Sequence, residues 1–457
     1  MNLQESIELE LLIAQKLKGK LSLLQSNSER EEILNHVLTQ PYTLEDQNRL
    51  ERAMEHIKEP EARNIFIKEF LSYGAVHDLL LDSDVEDIII NSLQEIYVHH
   101  AQKGLIPTGK SFSSQKALDL FVKKLLLFSG RNEMHKIINL ELPNLEGRVN
   151  IVSSPFGPQI TITKAKVEPL SILDLIKYGS LNYEVAAQLW LYIEGLCVRP
   201  ANIIIAGGPG TGKTTLLNAL FSFVPSSERM VIMEDTLELN TFLESSCSRL
   251  ESDDEISLQT LVKNSLRMRP DRIVIGEVRG AEARDMITAV NVGKYCLGTI
   301  HASHSREAIL RLQNEPMNIP ETMVNLVDVF ICMRRFHVHD RVYRVVDEVS
   351  ETGGMESKTI LLSQIYKYDY QKKLITNMAA STVYRDQLAR EAGLKPREII
   401  DEIYVRAVLL KVLDDRKLTT MKEITTFCRA YSRDAKQSLA ALGVTREEIL
   451  KNRRYME

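Results

Sequence analysis

The most regular pattern in the chain is a set of four short apolar runs in its middle part. They read NIIIAGG, MVIMED, RIVIGE and CLGTIHA, and stretches with the apolar spacing of helices separate several of them. Strands that are apolar at nearly every position are typical of a parallel sheet with both faces covered, and alternation with helices favours the same arrangement. We therefore predict an α/β domain built on a parallel sheet over residues 186–350.

A second, smaller α/β domain is predicted over residues 71–165. EDIIIN and EIYVHH are short strand-like runs around a turn, and RVNIVSS and QITITKA alternate apolar and polar positions as half-buried strands do. Between these pairs, SQKALDLFVKKLLLFSGR has the spacing of an amphipathic helix with Ser114 as its N-cap. The other predicted regions are an N-terminal helical region (1–70), a linker (166–185) and a mostly helical C-terminal region (351–457).

Composition and charge narrow the class of protein. The 457 residues predict roughly two to four domains. A net charge of −5 argues weakly against a protein whose main task is to coat nucleic acid. Five scattered cysteines without a C-x-x-C pair favour reduced thiols and no zinc site. The N-terminus has no basic segment before an apolar core, and no window approaches the ~18–20 apolar residues of a membrane-spanning helix, so we expect a cytoplasmic protein.

The strongest chemical signal is the segment IIIAGGPGTGKTTLLNAL. Its glycines, Lys213 and Thr214 fit the phosphate-loop pattern G-x-x-x-x-G-K-[ST], here between an apolar strand and a helix. Backbone N–H groups and the positive end of the helix bind phosphates in such a loop. Lys213 is expected to reach the β and γ phosphates of ATP, and the Thr214 hydroxyl to bind Mg²⁺. The predicted nucleotide-binding residues are Gly207, Gly208, Pro209, Gly210, Thr211, Gly212, Lys213, Thr214 and Thr215.

Three of the apolar runs end in residues that can act on a phosphate. MVIMED ends in Glu234 and Asp235, RIVIGE ends in Glu277, and GTIHAS places His301 at a strand end. The carboxyl ends of parallel strands face the ligand crevice, so these groups can orient water, hold Mg²⁺ or contact the γ-phosphate. Gly276 precedes Glu277 where many ATPases carry a second acid. Three alternatives stay open: Asp235 as a helix N-cap, Glu277 as a surface acid and His301 as a structural histidine.

Arginines are further candidates for the site, because the forked donors of a guanidinium group stabilise charge on a transferring phosphoryl group. Such an arginine often comes from a neighbouring subunit. Any one arginine can equally form a surface ion pair. From a larger set that includes Arg131, Arg267 and Arg269, the selected candidates are Arg148, Arg279 and Arg284.

Taken in order, the phosphate loop, MEDTLEL, RPDRIVIGEVRG and GTIHAS resemble the secretion superfamily ATPases. FLSYGAVHDLLLDSDVEDIIIN and EGRVNIV extend the resemblance backwards, to about residues 65–350. It implies a RecA-like P-loop domain preceded by a smaller, PAS-like α/β domain. It also implies a homohexamer that binds ATP between these domains and acts on a polytopic membrane platform protein at the inner face of the cytoplasmic membrane, in type II or type IV secretion, or in pilus or archaellum assembly.

The resemblance also implies roles for the strand-end residues. Glu277 takes the position of the catalytic acid and of a metal ligand beside Thr214, Glu234 and Asp235 form an acidic box, and His301 forms a histidine box. In this family a Gly-Glu pair is the normal ending of the acidic strand. Thr163 departs from the family pattern, in which many members have an arginine that is expected to contact the nucleotide, and the tetracysteine module of some type II members is absent.

Two other functions compete with a secretion or pilus motor. A DNA-translocating, conjugation-type ATPase requires a basic pore, which the acidic net charge and the lack of a Lys/Arg run disfavour. A catalytically silent nucleotide-binding scaffold predicts the loss of Lys213, Glu277 or His301, and all three are present. A motor without direct nucleic-acid binding is therefore the favoured prediction.

Overall fold

The computed structural model describes residues 3–22, 25–41, 43–131, 133–142, 147–164, 169–240, 246–253, 255–338, 341–357 and 359–453. The chain divides into two compact units, one formed by residues 1–168 with 339–342 and the other by 169–338 with 343–457. Over the described ranges, no helix is both long enough and apolar enough to cross a membrane.

The first unit combines a six-stranded antiparallel sheet with helices. In chain order its elements are α1 (Leu3–Lys16), α2 (Asn27–Thr39), α3 (Leu44–His56), α4 (Pro60–Leu71), α5 (His77–Leu81), β1 (Val85–Asn91), β2 (Tyr97–His100), β3 (Gly104–Pro107), α6 (Gln115–Phe128), β4 (Ile137–Leu142), β5 (Gly147–Ser154) and β6 (Gly157–Thr163). The strand order is β3-β2-β1-β6-β5-β4. The four predicted strands and the predicted helix are confirmed, and the Ser114 side chain caps α6 by accepting from the N–H of Ala117. The edge strands β3 and β4 were not predicted.

Apolar and polar residues alternate along the strands of this unit, and the apolar ones form its core. Ile88 and Ile90 of β1 and Ile160 and Ile162 of β6 are buried in one apolar cluster. Leu9 and other residues of the N-terminal helices belong to the same cluster. The helices before residue 70 therefore pack on the sheet rather than forming a core of their own.

The second unit contains a nine-stranded sheet and most of the helices. Its elements are α7 (Ile172–Lys177), α8 (Tyr183–Glu194), β7 (Ile203–Gly207), α9 (Lys213–Leu220), β8 (Met230–Glu234), β9 (Ser248–Glu251), α10 (Leu258–Ser265), β10 (Arg272–Val278), α11 (Glu282–Asn291), β11 (Tyr295–Ile300), α12 (Ser305–Gln313), α13 (Glu321–Val324), β12 (Val329–Val338), β13 (Arg341–Glu356), β14 (Thr359–Asp369), β15 (Leu374–Asn377), α14 (Val383–Ala392), α15 (Pro396–Asp415), α16 (Met421–Arg433), α17 (Ala435–Ala441) and α18 (Arg446–Arg453). The strand order is β15-β14-β13-β12-β7-β11-β10-β8-β9.

The parallel part of this sheet confirms the predicted α/β fold with a RecA-like P-loop domain. Strand β7 pairs in parallel with β11 and β12, and β10 pairs in parallel with β11 and β8. Ile203 and Ile205 of β7 face one apolar cluster, while Ile204 and Ala206 face another. Both faces of the central strands are covered, which is why these runs are apolar at every position.

The structure differs from the prediction on either side of the parallel strands. Part of the segment interpreted as a linker forms α7 and the start of α8. A capping box between Ser171 and Asp174 begins α7, and Ile172 and Leu173 are buried, so this stretch is packed against the sheet. At the other end, β13 reaches Glu356 and β14 and β15 extend the sheet before the helices begin. The boundaries of the five predicted regions stay predictions.

Candidate active site

The phosphate loop joins β7 to α9 and has little room for side chains. A Cβ on Gly207 would lie 2.5 Å from Thr211 Oγ1 and 2.9 Å from the carbonyl oxygen of Met333. Gly210 and Gly212 have φ of +64° and +94°, which side chains rarely adopt. Because Gly212 has no side chain to cap α9, the first N–H groups of the helix remain available to an anion.

Lys213 is folded back onto the loop that it follows. Its Nζ donates to the carbonyl oxygen of Gly208 at 3.0 Å, and Thr211 Oγ1 donates to the same oxygen at 2.8 Å. Burial lowers the pKa of Lys213, while the charges of Glu277 and Glu238 act to raise it. The ammonium group therefore interacts electrostatically with the carboxylates of Glu277 and Glu238 and lies against the phosphate loop.

Glu277 is the centre of the site. Its Oε2 accepts from Nη2 of Arg279 at 2.7 Å, and its Oε1 lies 2.6 Å from Nε2 of His301. Burial raises the pKa of Glu277, but the hydrogen bond from Arg279 and the positive charges around the carboxylate outweigh burial, so the pKa is lowered. The carboxylate is ionised at neutral pH.

His301 is neutral, in contrast to the ionised Glu277. Burial and the charge of Lys213 lower its pKa, against the effect of Glu277. A neutral imidazole beside an ionised carboxylate can donate one hydrogen bond to it. The imidazole can then respond to a change at the carboxylate without carrying a charge itself. The structure thus brings two of the sequence-selected strand-end residues, Glu277 and His301, into contact.

The structure explains why Gly276 precedes Glu277. A Cβ on Gly276 would lie 2.7 Å from Cγ of Glu234 and 3.1 Å from its Oε1. The side chain of Glu234 from the neighbouring strand thus occupies the space that a side chain at position 276 would need. The space beside Gly276 is therefore filled by an acidic side chain from β8.

Glu234 also organises the segment that follows its own strand. Its Oε1 accepts from the N–H groups of Glu238 and Leu239 at 3.0 and 3.1 Å. The carboxyl is 3% exposed, and burial raises its pKa to about 7, although the two N–H donors act in the other direction. Glu234 is a buried positioning residue, whereas Asp235 is exposed, accepts from the Ser252 hydroxyl at 2.8 Å and lies 3.9 Å from Nη1 of Arg279.

The burial of Glu234 leads to a prediction about stability and pH. Because its pKa in the folded chain is raised from 4.5 to about 7, the neutral form stabilises the fold below about pH 4.5, and this stabilisation is lost as the pH rises towards 7. A neutral glutamine does not titrate. The free energy of unfolding of Glu234→Gln relative to the original chain should therefore increase between pH 5 and pH 8, by on the order of 1 kcal/mol per pH unit within the titration window. Urea unfolding at both pH values measures this difference, and equal differences would contradict it.

The other two selected arginines lie on α11 and β5. Arg284 is exposed in the first turn of α11. Arg148 lies in β5 of the first unit, opposite Thr163 of β6 in the strand ladder. Their roles, like the roles assigned to the other site residues, stay predictions.

Four residues that sequence reasoning missed support the site. Glu282 Oε1 accepts from the N–H groups of Arg279 and Gly280, both at 2.6 Å, and fixes the turn after Glu277. Thr299 Oγ1 donates to the carbonyl oxygen of Gly276 at 2.6 Å. Arg335 and Arg344 approach the phosphate loop from β12 and β13. The acidic first turn of α11 is a sequence signal that could have indicated Glu282, whereas the contacts of the two arginines are non-local.

The residues of this site can bind Mg²⁺ only through one or two protein ligands. Within the described ranges, no group of three or more His, Cys, Asp or Glu side chains is arranged to hold a metal. Mg²⁺ in nucleotide sites usually keeps several waters and takes one or two protein ligands besides the phosphates. Thr214, the second residue of α9, and the ionised Glu277 fit such a site.

Comparisons with known proteins identify the following similarities. A family model described as type II/IV secretion system protein matches residues 132–364. The uncharacterized protein MJ0900 of Methanocaldococcus jannaschii is 28% identical over 81% of this chain and 70% of its own length. The type IV secretion system protein VirB11 of Bartonella henselae is 31% identical over 61% of this chain and 94% of its own length. Among solved structures, the ATPase DotB of Legionella pneumophila matches with a TM-score of 0.45 and 18% identity, over 83% of this chain and 94% of that one.

Proposed function

The chain belongs to the type II/IV secretion system protein family, and we propose that within this family it is an ATP hydrolase that powers secretion or the assembly of a pilus-like filament. The observation that carries the proposal is the ionised carboxylate of Glu277, held between Arg279 and His301 at the edge of a phosphate loop. A silent nucleotide-binding scaffold has no need for such a carboxylate.

Binding of ATP begins at the phosphate loop. The N–H groups of the loop and of the start of α9 donate hydrogen bonds to the phosphate oxygens, and Lys213 exchanges the carbonyl oxygen of Gly208 for the β and γ phosphates. This exchange needs only a movement of the lysine side chain, because Gly208 belongs to the same loop.

Hydrolysis needs a group that orients water in line with the γ-phosphate. Glu277 is ionised, so it can accept a hydrogen bond from the attacking water, and the neutral His301 holds the carboxylate in place from the side. Glu234 keeps the segment after β8 in position, and Asp235 shares Arg279 with Glu277. Once ATP is bound, Arg279 can move from Glu277 towards the developing charge on the phosphoryl group.

Thr214 and Glu277 would hold Mg²⁺, the second through a water molecule. When bound, the ion neutralises charge on the β and γ phosphates.

The setting of this activity is proposed from the family. We place the chain in a homohexamer on the cytoplasmic side of a membrane, where it acts on a polytopic platform protein and binds no nucleic acid directly. Arg148 and Arg284 are candidates for phosphate contacts, either within one subunit or from a neighbour. Arg284 is exposed and Arg148 is half-buried, and an arginine supplied from outside completes many phosphoryl-transfer sites.

The test is hydrolysis of ATP by the purified full chain, with Mg²⁺ and with EDTA. We expect phosphate release that depends on Mg²⁺, and binding to duplex DNA that is weak at all salt concentrations. Absence of hydrolysis would contradict the proposed enzyme. Tight DNA binding whose affinity falls steeply with salt would instead favour a DNA-translocating ATPase.

A further inference from the structure

Strand β12 continues past the point at which β7 leaves the sheet. Met333 lies opposite Gly207, the last residue of β7, and β12 runs on to Val338 beside the phosphate loop. Side chains alternate along a strand, so Met333 and Arg335 share one face and Arg334 points to the other. The terminal carbon of Met333 lies 3.7 Å from the position of a Cβ on Gly212, which places this face against the loop.

Two guanidinium groups consequently approach the tip of the loop. Arg344 of the neighbouring strand β13 donates from Nε to the carbonyl oxygen of Gly210 at 2.9 Å. Nη1 of Arg335 lies 3.2 Å from the position of a Cβ on Gly210. Nε of Arg335 is buried and has no hydrogen-bond partner among the described residues. Arg344 thus holds the loop, and Arg335 beside it has an N–H group that is available to donate a hydrogen bond.

The sheet order decides which part of a nucleotide these arginines face. Strands β11 and β10, with His301 and Glu277 at their ends, lie on one side of β7, whereas β12 and β13 lie on the other. With the β-phosphate in the loop and the γ-phosphate directed towards Glu277, the α-phosphate and the nucleoside extend away from the carboxylates. The side that they reach is the side of Arg335 and Arg344.

We propose that Arg335 binds the α-phosphate of the nucleotide from within the same subunit, while Arg344 is a positioning residue that holds the loop through Gly210. The inference rests on the proposed nucleotide-binding function and adds a second cationic group to it. Guanidinium forks bind phosphate oxygens with two donors, so arginine suits this position better than lysine. Contacts to the α-phosphate exist equally in ATP and ADP, in the ground state and in the transition state.

Such contacts have a kinetic signature. An interaction made equally before and during reaction changes KM and leaves kcat nearly unchanged. We expect Arg335→Gln to weaken the binding of ADP and of a non-hydrolysable ATP analogue by the same factor, roughly tenfold. Arg344→Gln should raise KM without lowering kcat, because the loop still forms but is less well held.

The matched control is Arg334→Gln. Arg334 adjoins Arg335 but lies over the Tyr370 ring, 5.4 Å from its centroid, on the opposite face of the strand. Calorimetric titration of the full chain with ADP and with the analogue should show unchanged affinities for this variant. Thermal unfolding of all the variants checks folding, and Arg335→Lys, which keeps the charge, should recover part of the lost affinity.

The outcomes separate the two proposals. If the original chain binds no nucleotide, the proposed function itself fails. If it binds nucleotide and Arg335→Gln has the same affinities, the assignment of Arg335 is wrong. Loss of affinity for the ATP analogue alone would also overturn the assignment, because it would place Arg335 at the γ-phosphate.

Discussion

Replacing Glu277 by glutamine should lower kcat for ATP hydrolysis by about 10²–10⁴-fold and leave the affinity for ATP within a few-fold of the original. Glutamine keeps the size and the hydrogen-bonding reach of the side chain but cannot be ionised. The water that attacks the γ-phosphate therefore loses its negatively charged acceptor, while the phosphate loop is untouched. Steady-state phosphate release and equilibrium binding of ATP to the same preparation measure the two quantities.

Lys213→Ala provides the contrast to this variant. Lys213 is expected to contact the phosphates themselves, so its removal should weaken nucleotide binding and turnover together. Normal turnover by Glu277→Gln would exclude Glu277 from its proposed role. Equal loss of ATP affinity in both variants would show that Glu277 acts in binding and not in the chemical step.

The contacts of Glu277 suggest that the chain controls when the carboxylate acts. Oε2 accepts from Arg279 and is not free to orient water without a rearrangement, whereas Oε1 lies 2.6 Å from Nε2 of His301 but has no hydrogen-bond partner among the described residues. Arg279 is exposed and also lies near Asp235, which gives it an alternative partner.

Local sequence signals were sufficient to predict the central elements of the fold. Ser114 marks the start of α6 because a serine cap and an amphipathic spacing act within a few residues of each other. The phosphate loop was equally predictable, since a glycine-rich turn between an apolar strand and a helix is a local arrangement. The strand ends brought Glu234, Glu277 and His301 to one edge because parallel strands share their direction.

The rest depends on residues that are distant in sequence. Strand β9 was not predicted because its four residues, SRLE, are mostly polar and form an edge strand with one face exposed. The approach of Arg344 to Gly210 joins residues 134 positions apart. No periodicity or motif near either residue indicates this contact, which arises only when β12 and β13 are added to the sheet beside β7.

The contact between Glu234 and Gly276 is the non-local feature with the largest expected consequence. Gly276→Ala should destabilise the chain by about 1–3 kcal/mol, because the added Cβ would lie 2.7 Å from Cγ of Glu234. It should also lower kcat by roughly 100-fold, since a displaced β10 end misplaces Glu277. Gly353→Ala is the matched control: Gly353 is also a glycine in a strand of this sheet, and a Cβ there would meet its nearest atom at 3.5 Å, an ordinary contact.

A double variant separates steric conflict from a general intolerance of alanine at position 276. In Gly276→Ala with Glu234→Ala, Cγ and Oε1 of residue 234, which the new Cβ would meet at 2.7 and 3.1 Å, are absent, and only its Cβ at 3.4 Å remains. Urea unfolding should then show a coupling of about 0.5–3 kcal/mol, with the double variant more stable than the two single changes predict by addition. Activity should stay low, because the carboxylate that orders the segment after β8 has gone. Purely additive stabilities would mean that Glu234 is not the reason for glycine at this position, and the Gly-Glu ending would then need another explanation.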